Sequence, residues 1–353
     1  AIECNNMNIA DLTGIEAFNA LTGLYCNDNQ ITSLYVSANT ALTKLWCSDN
    51  QLTSLDVSQN TALTRLYCYN NQLTNLDAGG ATALTTLNCS ANPLGTLDVS
   101  QNTALTDLIC VYNQLTSLDV SNNTALDSLT CTDNLLTSLD VSNNIALTNL
   151  FCGYNQLTSL DLSNNIALTD LTCFVNPLQN LDLSANIALN ILWCEDNNLT
   201  SLDVSNNLAL TALRCEDNKL TSLDVSNNLA LTLLSCNFNE LTSLDVSQNT
   251  ALTYLSVYRQ KVNGASSPSP GNTLTSLDLR NGNNSNFTNI NASFNMLLTC
   301  INVDDATWST TNWTVSFNNI DPQHYFSNNC SGTAIEEHTT NKELLKVTDL
   351  LGR

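Results

Sequence analysis

Basic side chains are scarce in this chain of 353 residues. Ten lysines and arginines stand against 32 aspartates and glutamates, so the net charge is −22. Phosphate binding needs clustered cations, which excludes nucleic-acid recognition and docking on anionic lipid. Charge of either sign is thin: charged residues make up 12% of the chain, roughly half the usual ~25%. No apolar run approaches the ~18 residues of a transmembrane helix, which excludes direct insertion into a membrane by that route. Histidine occurs only as His324 and His338, neither within a partner motif. The G-x-S-x-G, H-E-x-x-H, Walker and dinucleotide-binding patterns are missing, and so is any C-x-x-C. The chain therefore reads as a non-enzyme without a cofactor. A glycosidase-type carboxylate pair is compatible with the composition, but a repeat surface lacks the deep cleft that tunes one carboxylate against another.

What the chain does have is leucine, asparagine and a period. Apolar residues reach 43% and asparagine alone supplies 55 residues. The leucines are too many and too regular for a disordered chain. Eleven cysteines, from Cys26 to Cys236, recur every 21 residues, and Cys4 precedes the first by 22. The unit reads LTxLxCxxNxLTSLDVSxNxA, and both halves open like a leucine-rich repeat. Alternating apolar residues predict a short strand with one buried face. Leu66 and Cys68 then point inward and Tyr67 outward; Leu55 and Val57 point inward and Asp56 outward. One asparagine column runs from Asn29 to Asn239 and a second from Asn60 to Asn249. An inward amide donates and accepts at once, so these columns serve the peptide groups of buried turns. No stretch sustains a helical period. The expected fold is an all-β-leaning repeat solenoid of 21-residue coils stacked about 4.8 Å apart. Short strands line its concave face, extended or 3-10 segments form the return side, and an irregular C-terminal cap closes it.

Residues 21–251 resemble bacterial leucine-rich repeat proteins of the internalin J type. A cysteine replaces the third leucine, as in Leu45-Trp46-Cys47, and the segment LTSLDVSxNT recurs, as at residues 52–61. The resemblance implies a curved right-handed solenoid with a cysteine ladder, on a secreted or bacterial cell-surface protein that binds partners. The helical N-terminal cap usual in such proteins has no counterpart here. Ile2 and Cys4 already stand in strand phase, and Ala1 reads as a processed or truncated start.

The ladder cysteines read as buried thiols acting as small apolar residues. Parallel Cβ vectors about 4.8 Å apart suit a disulfide poorly, since one needs converging vectors nearer 3.5–4.5 Å. A metal site and partial disulfides are the alternatives. Cys300 and Cys330 stand outside the ladder. In an exported protein they pair, closing a loop of about 30 residues and stabilising by roughly 3–4 kcal/mol.

Four segments follow: a partial N-terminal coil at 1–20, the repeat array at 21–260, an irregular repeat with the C-terminal cap at 261–332, and a tail at 333–353. The ladder fails where Val257 takes the cysteine place and Gln260 the asparagine place, before a Ser/Pro/Gly loop at 261–273. Trp308, Trp313, Phe317, Tyr325 and Phe326 read as the cap over the last open coil. The ending KELLKVTDLLGR resembles the opening of a type IX secretion sorting domain. It implies export across an outer membrane, then release or anchoring.

Specificity lies in the columns that vary. An N-terminal zone holds Tyr25, Lys44, Trp46, Arg65, Tyr67 and Tyr69. A middle zone holds Ile109, Val111, Tyr112, Phe151, Tyr154, Phe174 and Val175. A C-terminal zone places Trp193 and Arg214 beside Glu195, Asp196, Glu216 and Asp217. All fall on the first-strand face, where exposed aromatics mark either a protein-binding surface or cross-strand packing that merely stabilises the sheet. A glycan stacked on the aromatic column is the alternative ligand. Ice binding by Thr43, Thr64, Thr85 and Thr106 is a third reading. An outward aspartate column runs from Asp56 to Asp245, softened by hydroxyls such as Ser54 and Ser58, with calcium bridging as the alternative role. The oligomeric state and the identity of the partner are open at this level.

Overall fold

The computed structural model describes residues 1–259, 273–317 and 319–330. The strand Lys44–Trp46 pairs in parallel with Gly23–Tyr25 on one side and Arg65–Tyr67 on the other. Leu24, Leu45 and Leu66 fall in register, so each leucine stacks on its own copy one period away. The same register continues as a 14-stranded parallel sheet from Ile2–Glu3 to Asn289–Asn291. Leu45, Leu66, Cys47 and Cys68 are fully buried, as the alternation requires. Each strand of the array proper is three residues long because an asparagine turn follows directly.

The alternation around Leu55 and Val57 predicts a second short strand in every coil, and only some coils form one. Ser54–Asp56 pairs with Asn75–Asp77, and a four-stranded sheet joins Ser243–Asp245, Ser276–Asp278, Cys300–Asn302 and Tyr325–Ser327. Between these groups the stretch keeps its inward residues, such as Leu139 and Val141, buried, yet forms no strand among the described residues. A ladder that is continuous on one side and interrupted on the other brings the coils closer along the first strand. That side is therefore the concave one.

Asparagine amides hold the turns. Asn50 Nδ2 donates to the carbonyls of Cys26, Cys47 and Ser48 at 3.0–3.2 Å, and its Oδ1 accepts the Ile31 amide at 3.0 Å. In the second column, Asn165 Nδ2 donates to the carbonyls of Val141 at 3.0 Å and Asn144 at 2.9 Å. The twelve ladder cysteines, Cys4 to Cys236, are buried thiols outside any disulfide. Burial pushes the thiols up, to about 12 at Cys89 and Cys131. Val257 fills the next ladder place, also fully buried.

The last coil is covered by a helix, Ala306–Asn312, started by Asp305, whose carboxylate accepts the Trp308 amide at 2.9 Å. Trp313 is buried, with ring contacts to Phe287, Trp308 and Phe326 at 5.6–5.7 Å. Phe317 and Tyr325, expected in this cap, are exposed instead. Tyr325 precedes Phe326 on one strand and so faces the opposite way, and Phe317 ends a 3-10 turn. Cys300 and Cys330 form a disulfide. Most of the loop at 261–273, His338 and the sorting-type tail lie outside the described residues.

Candidate binding face

In the N-terminal zone the three rings of the first-strand column touch. Tyr25, Trp46 and Tyr67 lie in register, with centroids 5.0 and 5.4 Å apart and planes at 84° and 76°. Lys44 and Arg65 sit side by side on neighbouring strands, and half-buried Tyr69 lies between its strand and the turn.

The middle zone is less continuous than the sequence suggests. Thr130 stands between Ile109 and Phe151 in the ladder, so the two lie on strands that are not neighbours. Tyr112 and Tyr154 are 64% and 48% exposed. On the next coil, burial raises the Asp133 carboxyl, and the Tyr112 hydroxyl opposes that rise. Tyr154 meets Phe174 edge-on at 5.1 Å. Half-buried Val111 and Val175 complete the zone.

A backbone feature underlies this zone. One residue of each coil has φ near +50°, in the left-handed region. Asp28, Asp49, Asn70, Asp133, Asp196 and Asp217 occupy that column, where their short polar side chains are tolerated. Tyr112 (φ 55°), Tyr154 (φ 49°), Val175 (φ 51°) and Phe238 (φ 55°) occupy it as well. A β-branched residue there is a conformational outlier.

In the C-terminal zone the Arg214 guanidinium lies over the Trp193 ring, 5.0 Å from its centroid. Glu195 and Glu216 follow on the same two coils. Burial pushes the Glu195 carboxyl up to about 7; repulsion from Glu216 adds to this, while a backbone hydrogen bond and Arg214 oppose it. Burial likewise raises Glu216.

The aspartate column faces outward along the return side, as at Asp119 and Asp140. Each carboxylate accepts the backbone amide two residues on, for example Ser121 at 2.9 Å and Ser142 at 2.9 Å. These bonds, with the hydroxyls of the same serines, hold Asp119 and Asp140 below the usual carboxylate range. The softening thus comes from the residue two places after the aspartate, a serine in each coil except at Asp77, where Gly79 takes that place, in a local turn. Among the described residues, no three His, Cys, Asp or Glu converge as a metal site would require. The threonines of the ice-binding reading are engaged elsewhere. Thr43, Thr64, Thr85 and Thr106 donate their hydroxyls to the threonine carbonyl one coil back at 2.9–3.1 Å.

Residues 40–78 match the family model for leucine rich repeats, in two copies. The functional domain of InlJ from Listeria monocytogenes, which includes a cysteine ladder, is 38% identical over 86% of this chain and 67% of its own, with a TM-score of 0.68. The chain is an internalin-type leucine-rich repeat protein. This internalin-type chain also shares its fold with an internalin, InlF from Listeria monocytogenes, at 23% identity over 72% of this chain and 79% of that one, TM-score 0.63. The plant peptide hormone receptor RGFR1, solved in complex with RGF2, shares it at 20% identity over 88% of this chain and 57% of its own, TM-score 0.64. No curated protein matches the chain.

Two surface features lie outside the sequence reading of this repeat protein. One is the left-handed column, which the recurrent Asp and Asn at its positions signal. The other is a row of exposed aliphatics, signalled where SxNTA changes to SxNIA or SxNLA along the repeats.

Proposed function

We propose that this chain is a secreted or surface-exposed recognition module that holds a protein partner on its concave, first-strand face, centred on Tyr112, Tyr154, Phe174 and Val175. The backbone at Tyr112, Tyr154 and Val175 carries the proposal. A left-handed conformation costs a residue with a Cβ roughly 1–2 kcal/mol. Most other coils take Asp or Asn there, with Ala91, Phe238 and Arg259 among the exceptions, so the fold itself does not call for a bulky residue at this position. Strain retained at exposed aromatic and apolar residues belongs to functional sites, and tyrosine is enriched at interface hot spots. The N-terminal rings and the Trp193–Arg214 pair flank this centre. A structural neighbour, RGFR1, is solved with RGF2, and a peptide or protein ligand suits the same kind of extended surface here. The Cys300–Cys330 disulfide favours an oxidising compartment. As a recognition module the chain needs neither a catalytic group nor a cofactor.

A glycan is the weaker reading. Sugars stack on open ring faces, whereas Tyr25, Trp46 and Tyr67 turn edge to face at 84° and 76°. A glycan array probed with the wild-type chain and with a Trp46→Ala/Tyr67→Ala variant separates the two. Silence from both agrees with a protein ligand. Selective binding lost in the variant would reassign the face to carbohydrate.

A further inference from the structure

A second surface lies at the turn that leads from the return stretch of each coil into the first strand. Ile145, Ile166, Ile187, Leu208 and Leu229 occupy one position in five consecutive coils, and each is 58–64% exposed. The same position holds threonine in the flanking coils, at Thr124 and Thr250. Exposed aliphatics confined to five adjacent coils make a continuous apolar stripe rather than scattered surface leucines. Ala146, Ala167, Ala188, Ala209 and Ala230 follow them one residue on, so the band also carries a row of methyl groups. On the other side stand neutral residues, Asn143, Asn164, Ala185, Asn206 and Asn227. No residue of the band is charged.

The stripe is evenly spaced and firmly held. Each aliphatic residue follows an asparagine of the second ladder. Asn165, Asn186, Asn207 and Asn228 each donate Nδ2 to the preceding asparagine carbonyl at 2.9 Å. The spacing is thus set by identical hydrogen bonds from coil to coil.

We infer that this stripe is the contact between two copies of the chain, related by a two-fold axis through Ile187. A row of equal side chains at equal intervals is complementary to another row of the same interval, and a second copy supplies one. The axis sets Ile187 against itself, Ile166 against Leu208 and Ile145 against Leu229, the self-complementary pairing of a two-fold interface. Five aliphatic side chains offer on the order of 500 Å2. The alanine row and asparagine rim bring this towards the ~800 Å2 per partner of a stable interface. A lipid surface does not suit a chain of net charge −22. Pairing there uses none of the residues proposed for recognition, so the dimer presents two recognition faces and gains avidity. This inference stands apart from the identity of the ligand on the concave face.

Sedimentation velocity of the chain across about 1–100 μM tests it. A dimer is expected, and Ile166→Thr/Ile187→Thr/Leu208→Thr weakens it by about a hundredfold or more. Threonine already occupies this position in folded coils, at Thr124 and Thr250, and a far-UV circular dichroism spectrum matching the wild type checks that the variant folds. Cysteine substitutions test the axis. Under mild oxidation Ile187→Cys forms a covalent dimer, Ile145→Cys alone does not, and Ile145→Cys/Leu229→Cys does. The ladder thiols are buried and do not compete. A monomer at every concentration would overturn the inference. So would a dimer indifferent to the threonine variant, or equal cross-linking of the Ile187→Cys and Ile145→Cys chains.

Discussion

Phe174 lies over Gly153, and its ring meets Tyr154 edge-on at 5.1 Å. A Cβ at Gly153 would stand 3.1 Å from both the ring and the carbonyl oxygen of Phe174. Glycine there lets an aromatic side chain fold back across the neighbouring coil. Gly153→Ala should overpack this point, at a cost of about 1–2 kcal/mol, and displace Phe174 from the concave face. Thermal melts of the two chains check this. An unchanged or higher melting temperature would show that the packing over Gly153 is slack.

The cysteine ladder should behave as apolar packing rather than as redox chemistry. Val257 holds the ladder place next after Cys236 and is fully buried. Cys152→Val should therefore change stability by less than about 1.5 kcal/mol. Cys152→Ser buries a hydroxyl in the same column and should cost about 1–3 kcal/mol. Denaturant titration of both variants gives the comparison. Equal losses would mean that the thiol does something a methyl group does not.

Glu195 makes stability depend on pH near neutrality. Its carboxyl titrates at about 7 in the folded chain against an ordinary 4.5, chiefly because it is buried. A raised pKa stabilises the fold in the protonated form. This contribution is complete below pH 4.5 and is lost as the pH rises through about 7. Glu195→Gln should thus flatten the fall in melting temperature between pH 5.5 and 8. An identical slope in both chains would contradict the burial argument.

The cap has the opposite dependence. His324 is buried, and its Nδ1 accepts the Asp321 amide at 3.2 Å while Nε2 lies 3.2 Å from the Asn295 carbonyl. Burial lowers its pKa, with the Asn295 bond and Asp321 opposing. A depressed histidine stabilises above its unfolded pKa of about 6.5, and that stability is lost as the pH falls through the folded value. Emission from Trp308 and Trp313 in the cap should therefore report loosening on acidification, with a midpoint below 6.5. A midpoint above 6.5 would reverse the assignment.

Much of the fold was legible because the chain repeats itself. The period fixes which leucine stacks on which, and the alternation around Leu66 and Cys68 fixes what faces inward. The return side was less legible. Leu55–Val57 and Leu139–Val141 read alike, yet only the first lies in a hydrogen-bonded ladder, because curvature is a sum over coils and leaves no mark within one. The cap was read in part: Trp313 and Phe326 are interior, but aromatic content alone does not say that Tyr325 falls on the outer side of its strand. On the concave face, the contact of Tyr25, Trp46 and Tyr67 follows from register alone. The strain at Val175 follows only from backbone geometry.

That strain offers the most direct test. Tyr154→Asn/Val175→Asn places in the left-handed column the residue type already present at Asn70. The backbone is relieved by about 1 kcal/mol per position, while the apolar surface of the proposed site is removed. A random peptide display library panned on the wild-type chain, with this variant as the comparison, reads recognition; a melt of the same two proteins reads stability. The expected result is a variant at least as stable as the wild type that no longer binds the enriched peptides. Peptides that bind both chains equally, or a variant that is less stable, would contradict a recognition role for these residues.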